Sequence, residues 1–403
     1  MTPPLLLLAP IEPCGSGNGL AMRVASFAES AASAWDVQVA VVPVAGRLPF
    51  CPHPVAVPVV TVTPSGRQVV ARRFALMLAD PSWRGLLAEA QPMPSAAQAA
   101  SAALAADVLS ASGAVPGTPV LALRSYLAPL AVAVARQLAS PWTALDLDDD
   151  DESLASAQGD VTTAAAYRRL VATFAPRFSG VSLAAPSEAL AVGRRHELRT
   201  HVVPNAVEVP DRHSPRDPSP GVVLFVANLD YGPNADAAVV LVDRVLPALE
   251  ARSDTPVRVE LVGTFDPDGP VGALASHGSV TLTGFVDDVS DHYARAAVVV
   301  APLSSGSGTR IKLLEAFARR VPVVTTSVGV AGLAVRHREH VLIGETPEEL
   351  AAATAEVLGS PALVQSLTTA ALHYVRRHHG APVVAQRVRE FLGAAAGHGA
   401  LSR

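Results

Sequence analysis

Strand-like and helix-like segments alternate along this chain, stop at a proline-rich tract, and then begin to alternate again. The tract runs from Pro210 to Pro220 and holds four prolines in eleven residues without apolar periodicity, which suits a linker and no packed element. Before it, Leu5–Ala9, Val37–Val44, Val120–Leu123, Thr143–Leu147, Val181–Leu183 and His201–Val203 read as strands, with a helix over Leu20–Ala34. The proline-rich stretch Gly46–Gly66 reads as a long loop with at most an edge strand, and the alanine-rich residues 68–111 as helices. After the tract, Val222–Val226, Arg258–Val262, Val280–Leu282, Val298–Ala301 and Val321–Thr325 read as strands, and Asn234–Leu249, Arg310–Ala318, 347–358, 361–376 and 383–394 as helices. Such alternation is the pattern of a parallel sheet covered by helices. The expected fold is α/β, with two Rossmann-like domains facing each other across a cleft: residues 1–210, a linker at 211–220, and residues 221–380. Residues 381–403 are expected to form a C-terminal helix and tail that packs back on the N-terminal domain. A length of 403 residues agrees with two domains at roughly 100–200 residues each.

Composition narrows the chemistry. Half of the residues are apolar and 17% are charged, enough to bury a core and too apolar for wholesale disorder. The net charge of −5 gives no attraction to polyanions, and the arginines are dispersed, so no nucleic-acid partner is expected. Lys312 is the only lysine, and asparagine occurs four times, which fits codon usage in a GC-rich, bacterial genome. The surroundings of Lys312 match neither a P-loop nor a kinase lysine strand. Two cysteines, Cys14 and Cys51, are too few for a disulfide framework or a four-cysteine zinc site, and are expected to be reduced thiols. Leu5–Leu8 lack a basic flank and read as a first strand rather than a signal peptide. No uninterrupted apolar run is long enough to span a membrane, which leaves room only for peripheral membrane contact. Cytoplasm is the default location.

Two glycine-rich turns stand between a strand and a helix. The first is Gly15-Ser16-Gly17-Asn18-Gly19; its amides at a helix N-terminus suit an anion. Its spacing is not that of a dinucleotide fingerprint, and the second strand ends in Pro43-Val44 where a ribose-binding acid would stand. The second turn, Pro302 to Phe317, includes Gly306, Ser307, Gly308 and Thr309 followed by Arg310 and Lys312. Free amides, hydroxyls and two cations at one helix N-terminus make a site for a diphosphate, with Arg310 as a planar fork and Lys312 as a point charge. Cations there oppose the helix dipole, a local conflict that an anion relieves. Glu315 lies on a neighbouring stretch of helix surface; it suits either the two hydroxyls of a ribose or a solvated pair with Arg319. Gly284, Phe285 and Val286 follow a strand and could frame a flat base, while Asp287 and Asp288 suit a helix cap.

These segments resemble the donor-binding domain of group 1 glycosyltransferases (glycosyltransferase family 4, GT-B fold). The likeness is carried by Leu224–Ala237, which contains Asn228 and Asn234, by Thr281–Asp288, by Gly308–Ala318 and by Val321–Thr326. It is looser in the N-terminal half, through the Gly15–Gly19 loop, Arg124-Ser125-Tyr126, Ala185–Glu188 and Val203–Val207. The resemblance implies retaining, metal-independent transfer of a sugar from a nucleotide-diphosphate sugar, without a cofactor, to an acceptor held mainly by the N-terminal domain. That acceptor is a small molecule, a lipid-linked molecule or a glycan. It also implies that Arg310 and Lys312 serve the diphosphate in catalysis, that Glu315 serves the ribose, and that Gly284–Val286, Gly306–Thr309 and Asn228 line the donor site. Many members carry a glutamate where Ser307 stands, so the sugar is not specified. A sugar-nucleotide epimerase or a non-catalytic nucleotide-sugar binder are the alternative activities on this architecture.

On the acceptor side, Gly15, Ser16, Gly17, Asn18, Arg124, Asp146 and Asp148 are the candidates. Asp146 and Asp148, two apart on a strand, share one face, whereas the acid run Asp146–Glu152 as a whole reads as solvated. His53 is the only histidine before residue 196, and no general base is assigned. In a retaining mechanism the departing phosphate itself can take the acceptor proton.

Overall fold

A computed structural model of the chain describes residues 2–44, 51, 54–63, 97, 102–210, 217–305 and 310–401. The chain divides into two compact units, one of residues Met1–Ala206 with Val384–Arg403, the other Val207–Val383.

The N-terminal unit is built on seven parallel strands: β1 (Pro4–Ala9), β2 (Asp36–Val41), β3 (Val59–Thr61), β4 (Val120–Leu123), β5 (Thr143–Asp148), β6 (Gly180–Leu183) and β7 (Thr200–Val202). Their order is β3-β2-β1-β4-β5-β6-β7. The four-leucine run explains the centre of this sheet. Leu5 and Leu7 enter one core with Phe27 and the C-terminal helix residues Val388 and Phe391, while Leu6 and Leu8 enter the opposite core with Leu130 and Phe174. A strand buried on both faces needs a continuous apolar run, and each such leucine contributes roughly 1.5–3 kcal/mol. The proline-rich stretch supplies β3 at the sheet edge, where a missing amide donor costs least. Helices unassigned in the sequence reading cross between the later strands, namely Ala128–Gln137, Asp151–Ala157, Val161–Phe174 and Pro186–His196. Of the alanine-rich segment expected as helices, Ala102–Ser112 is helical and residues 68–96 lie outside the described residues.

The C-terminal unit has six parallel strands: β8 (Val222–Val226), β9 (Arg258–Val262), β10 (Val280–Gly284), β11 (Val298–Ala301), β12 (Val323–Thr325) and β13 (Leu342–Ile343). Their order, β10-β9-β8-β11-β12-β13, is the doubly wound one, which reverses between β8 and β11. In such sheets ligands bind beyond the carboxyl ends of the strands at that switch point. In the N-terminal unit the corresponding reversal lies between β1 and β4.

One glycine is required by close approach. Gly263, at the end of β9, has φ of 139°, and a Cβ there would lie 1.7 Å from the Ala227 carbonyl oxygen. Gly263→Ala is expected to destabilise the C-terminal unit by on the order of 3 kcal/mol. Urea unfolding of the variant measures this, and a loss below about 1 kcal/mol would show that the turn after β8 yields.

Candidate functional site

In the C-terminal unit the sole lysine stands beside the switch point. Lys312 lies in the first turn of the helix Ile311–Ala318, which follows β11. Its ammonium donates to the Asn234 Oδ1 at 2.5 Å and sits 5.2 Å from the centroid of the Phe225 ring, which β8 supplies. Asn234 is held in turn, because its Nδ2 donates to the Asn228 carbonyl oxygen at 2.8 Å. The Asn228 side chain builds the turn after β8, accepting from the Asp230 amide and the Thr264 hydroxyl, each at 3.0 Å. Two asparagines thus aim one ammonium, and an aromatic face supports it.

Burial, and then the neighbouring charge of Arg310, lower the Lys312 pKa to about 7, against the opposing pull of Glu315. This ammonium therefore lacks a full counter-charge. Arg310 is itself buried, at the N-cap of the same helix. A buried and a half-buried cation within three residues at a helix N-terminus are unfavourable by themselves, and an arriving diphosphate relieves both repulsion and dipole.

Glu315, one turn further on, is not in a solvated pair with Arg319. Its Oε2 accepts from the Tyr293 hydroxyl at 3.2 Å, and among the described residues no ion pair joins it to Arg319. The Arg319 guanidinium packs over the Tyr293 ring instead, 5.1 Å from its centroid. Burial raises the Glu315 pKa, opposed by Arg319, the Tyr293 hydrogen bond and Lys312.

Gly284 ends the edge strand β10 with φ of 76°, a left-handed conformation suited to glycine. Phe285 follows it and is 47% exposed, an uncovered aromatic ring at the carboxyl end of the sheet, with Val286 half-buried beside it in sequence. Asp288 accepts from the Ser290 amide at 2.8 Å, but the N-cap of the helix Ser290–Arg295 is Val289, so neither Asp287 nor Asp288 is the expected cap. Gly306, Ser307, Gly308 and Thr309 lie outside the described residues.

The N-terminal unit carries a second cluster at the ends of β4 and β5, and here the expectation of a solvated acid run is wrong. Asp146, Asp148, Asp150, Asp151 and Glu152 are all buried. Four arginines make this possible. Arg23 grips Asp146 with Nε and one Nη at 2.7 Å each, and also donates to Asn205 Oδ1 at 2.8 Å and the Val203 carbonyl at 3.0 Å. Arg124 pairs with Asp148, Asp149 and Asp151, and Arg195 with Asp150 and Glu152, which Arg168 also pairs. Burial opposes the charge on Arg23, but Asp146 and Asp148 overcome it and hold its pKa above the ordinary value. Asp146 is fully buried; its role is to hold Arg23, with the Ser182 hydroxyl donating at 2.7 Å to the same Oδ1 that one Arg23 Nη engages. Asp149 is the partly exposed member, pushed up to about 8 by burial and by Asp148, with Arg124 opposing.

Two neighbouring residues of this cluster are strained. Arg124 has φ of 78° and Asp148 φ of 65°, each costing about 1–3 kcal/mol in a residue that is not glycine. They stand at the ends of adjacent strands, beside a cavity lined by Ser125, Asp149, Asp151, Glu152 and His196.

The first glycine turn is more closed than expected. Asn18 caps the helix Gly19–Ala32, accepting from the Leu20 and Ala21 amides at 3.0 and 3.1 Å, so two of the amides offered to an anion are already used. Gly17 takes φ of 86°, and Gly15 and Ser16 complete the turn. The cysteines are not reduced thiols: Cys14 and Cys51 form a disulfide with Cα atoms 5.7 Å apart. Cys14 also forms a β-bridge to Pro54, and this return of the proline-rich loop brings together residues that sequence spacing leaves apart. Disulfides persist in oxidising compartments, so the cysteines lend nothing to a cytoplasmic location. His53 lies outside the described residues. Among the described residues no helix is long and apolar enough to cross a membrane.

Comparison with known proteins bears on the C-terminal unit first. Residues 220–360 match the family described as Glycosyl transferases group 1. An exopolysaccharide phosphotransferase of Streptomyces coelicolor is 30% identical over 182 residues, covering 42% of this chain and 18% of its own length. HepE of Anabaena, solved with UDP and glucose, superposes with a TM-score of 0.65 at 16% identity over 96% of this chain and 99% of its own. Sucrose-phosphate synthase of Thermosynechococcus elongatus gives 0.61 at 15% identity, over 97% of this chain and 98% of its own. WaaG, a glycosyltransferase involved in lipopolysaccharide biosynthesis, gives 0.58 at 14% identity, over 96% and 100%. The chain spans 18% of the phosphotransferase and 58% of TarM of S. aureus, another structural relative. The two Rossmann-like units are thus those of the GT-B fold.

Proposed function

We propose, from the group 1 glycosyltransferase domain that residues 220–360 form, that this protein transfers a sugar from a nucleotide-diphosphate sugar to an acceptor, with retention at the sugar carbon and without a metal. The observation that carries the reading is Lys312: the only lysine in the chain is half-buried, aimed by Asn234, and set beside Arg310 at the switch point of the sheet. A diphosphate is the ligand that this charge arrangement accommodates best. Glu315 takes the ribose hydroxyls, and Phe285 with the backbone of Gly284 and Val286 frames the base. Arg310 and Lys312 stabilise charge on the leaving diphosphate, which grows as the bond breaks.

In the reaction the bond from the sugar carbon to the diphosphate oxygen breaks with its electron pair going to that oxygen. The acceptor oxygen bonds to the same face of the sugar, and its proton passes to the departing diphosphate. The strained pair Arg124 and Asp148, with Asp149, is the proposed acceptor side, because strain of this kind collects at binding and catalytic sites.

The test is a screen of UDP-, ADP- and GDP-sugars by thermal shift and by release of nucleoside diphosphate with glycan, lipid-linked and small-molecule acceptors. Product with the donor's anomeric configuration, formed equally in excess chelator, is the expected result. A free epimer formed without any acceptor would replace this reading with an epimerase. Binding without turnover across all acceptors would leave a nucleotide-sugar binder.

A further inference from the structure

Glu315 is an expensive residue for its place. A half-buried carboxylate loses part of the hydration of its oxygens, a loss that nearby charges and hydrogen bonds offset. Around Glu315 the charges of Arg319 and Lys312 supply part of that compensation, and among the described residues one hydrogen bond supplies the rest. The Tyr293 hydroxyl approaches Oε2 at 3.2 Å, and the same hydroxyl approaches the Lys312 carbonyl oxygen at 3.2 Å. One proton serves both acceptors. Oε1 of Glu315 has no hydrogen bond among the described residues, and it is the carboxylate oxygen that Tyr293 leaves for a pair of ligand hydroxyls.

Tyr293 is built to be immobile. It is 1% exposed in the short helix Ser290–Arg295, and the Arg319 guanidinium lies over its ring at 5.1 Å. Burial and the Glu315 charge hold its pKa well above the ordinary value, so the hydroxyl remains a donor throughout the working pH range. Its two contacts fall on the side chain of Glu315 and on the backbone of Lys312, three residues apart on one helix. The ring therefore references the ribose-side carboxylate to the turn of backbone that carries the diphosphate-side cation.

We infer that Tyr293 is a positioning residue for the donor's ribose, holding Glu315 by Oε2 so that Oε1 meets the ribose hydroxyls. The inference rests on the donor-site reading above and adds a residue to it.

Tyr293→Phe removes the hydroxyl and keeps the ring. Dissociation constants are measured by calorimetry for UDP, ADP and GDP, each beside its 2′,3′-dideoxy form, in wild type, Tyr293→Phe, Glu315→Gln and the double variant. Wild type is expected to prefer the ribose form of the bound nucleotide by about 10-fold or more, as one or two hydrogen bonds to a charged group provide. In Tyr293→Phe that preference falls about 3- to 10-fold, the dideoxy form binds as before, and donor KM rises with little change in kcat. The substitution adds nothing to the preference when Glu315 is already glutamine, since it acts through that residue.

An unchanged preference in Tyr293→Phe overturns the positioning role while the donor site stands. Equal weakening of both forms also overturns it and makes the tyrosine structural. A wild type that does not distinguish the two forms, or binds none of the nucleotides, overturns the donor-site reading and this inference with it. Should Tyr293→Phe not fold, 3-fluorotyrosine at position 293 carries the comparison. It lowers the pKa of the hydroxyl with a small change in ring size, and an unmoved preference counts against the inference.

Discussion

Replacing Lys312 with alanine is expected to weaken nucleoside diphosphate binding by about 10- to 150-fold and to lower kcat by a further 100- to 1,000-fold. The first figure is one charge-assisted contact of roughly 1.5–3 kcal/mol; the second is the usual loss when one preorganised group facing a developing anion is removed. No second lysine exists to substitute. Lys312→Arg keeps the charge but replaces a compact ammonium aimed by Asn234 with a wider fork, and is expected to recover binding more than turnover. Retention of wild-type affinity and kcat in Lys312→Ala would remove the diphosphate from this turn.

The depressed pKa of Lys312 adds a pH signature. With a value near 7, much of the lysine is neutral at pH 8 in the free protein, and a bound diphosphate raises the pKa again. Binding at pH 8 therefore takes up a proton, and affinity declines as pH rises above about 7. Calorimetry in buffers of different ionisation enthalpy reads the uptake directly, and Lys312→Arg, charged throughout, shows none. The stability effect has the opposite slope. Between the folded value near 7 and the unfolded value of about 10.4, the unfolded chain binds the proton that the folded chain has released. Folding is thus strengthened as pH rises through that window, and Lys312→Met loses the dependence.

The second large effect concerns Arg23. The residue is 3% exposed, and its guanidinium makes contacts to Asp146, Asp148, Asn205 and Val203. Removing one partner of such a pair leaves the other's charge without its compensation in the interior, at a cost of about 3–5 kcal/mol. Arg23→Met and Asp146→Asn are each expected to destabilise the protein by that amount in urea unfolding. The double variant is expected to lose less than the sum, because it leaves no unpaired charge. Losses below about 1 kcal/mol, the range of a surface pair, would mean that the cluster is hydrated and the pair is not structural.

Much of the architecture was legible because it is local. Leu5–Leu8 and Val298–Ala301 are continuous apolar runs, and a strand buried on both faces requires one. Arg310, Lys312 and Glu315 could be singled out as candidates because a glycine- and serine-rich turn entering a helix has its own chemistry. Arg23 also left a signal that went unread: a charge four residues before Phe27, on the helix face whose Val24, Phe27, Ala28 and Ala31 are buried. Its position on an apolar face calls for a buried partner. Tyr293 left none, since one tyrosine among apolar neighbours is indistinguishable from core.

Sequence by itself determined the class of fold, the restart after the prolines and the turn that bears the only lysine, because backbone periodicity and turn chemistry act over a few residues. Only the tertiary structure decided what that lysine touches, 78 residues away in Asn234, and which acid Arg23 neutralises, 123 residues away in Asp146. It also turned an acid run from surface into interior and closed Cys14 onto Cys51. The physical reason is common to all four. Whether a charge or thiol is solvated, paired or bonded depends on which strands become neighbours, and a doubly wound sheet sets side by side strands that are far apart along the chain.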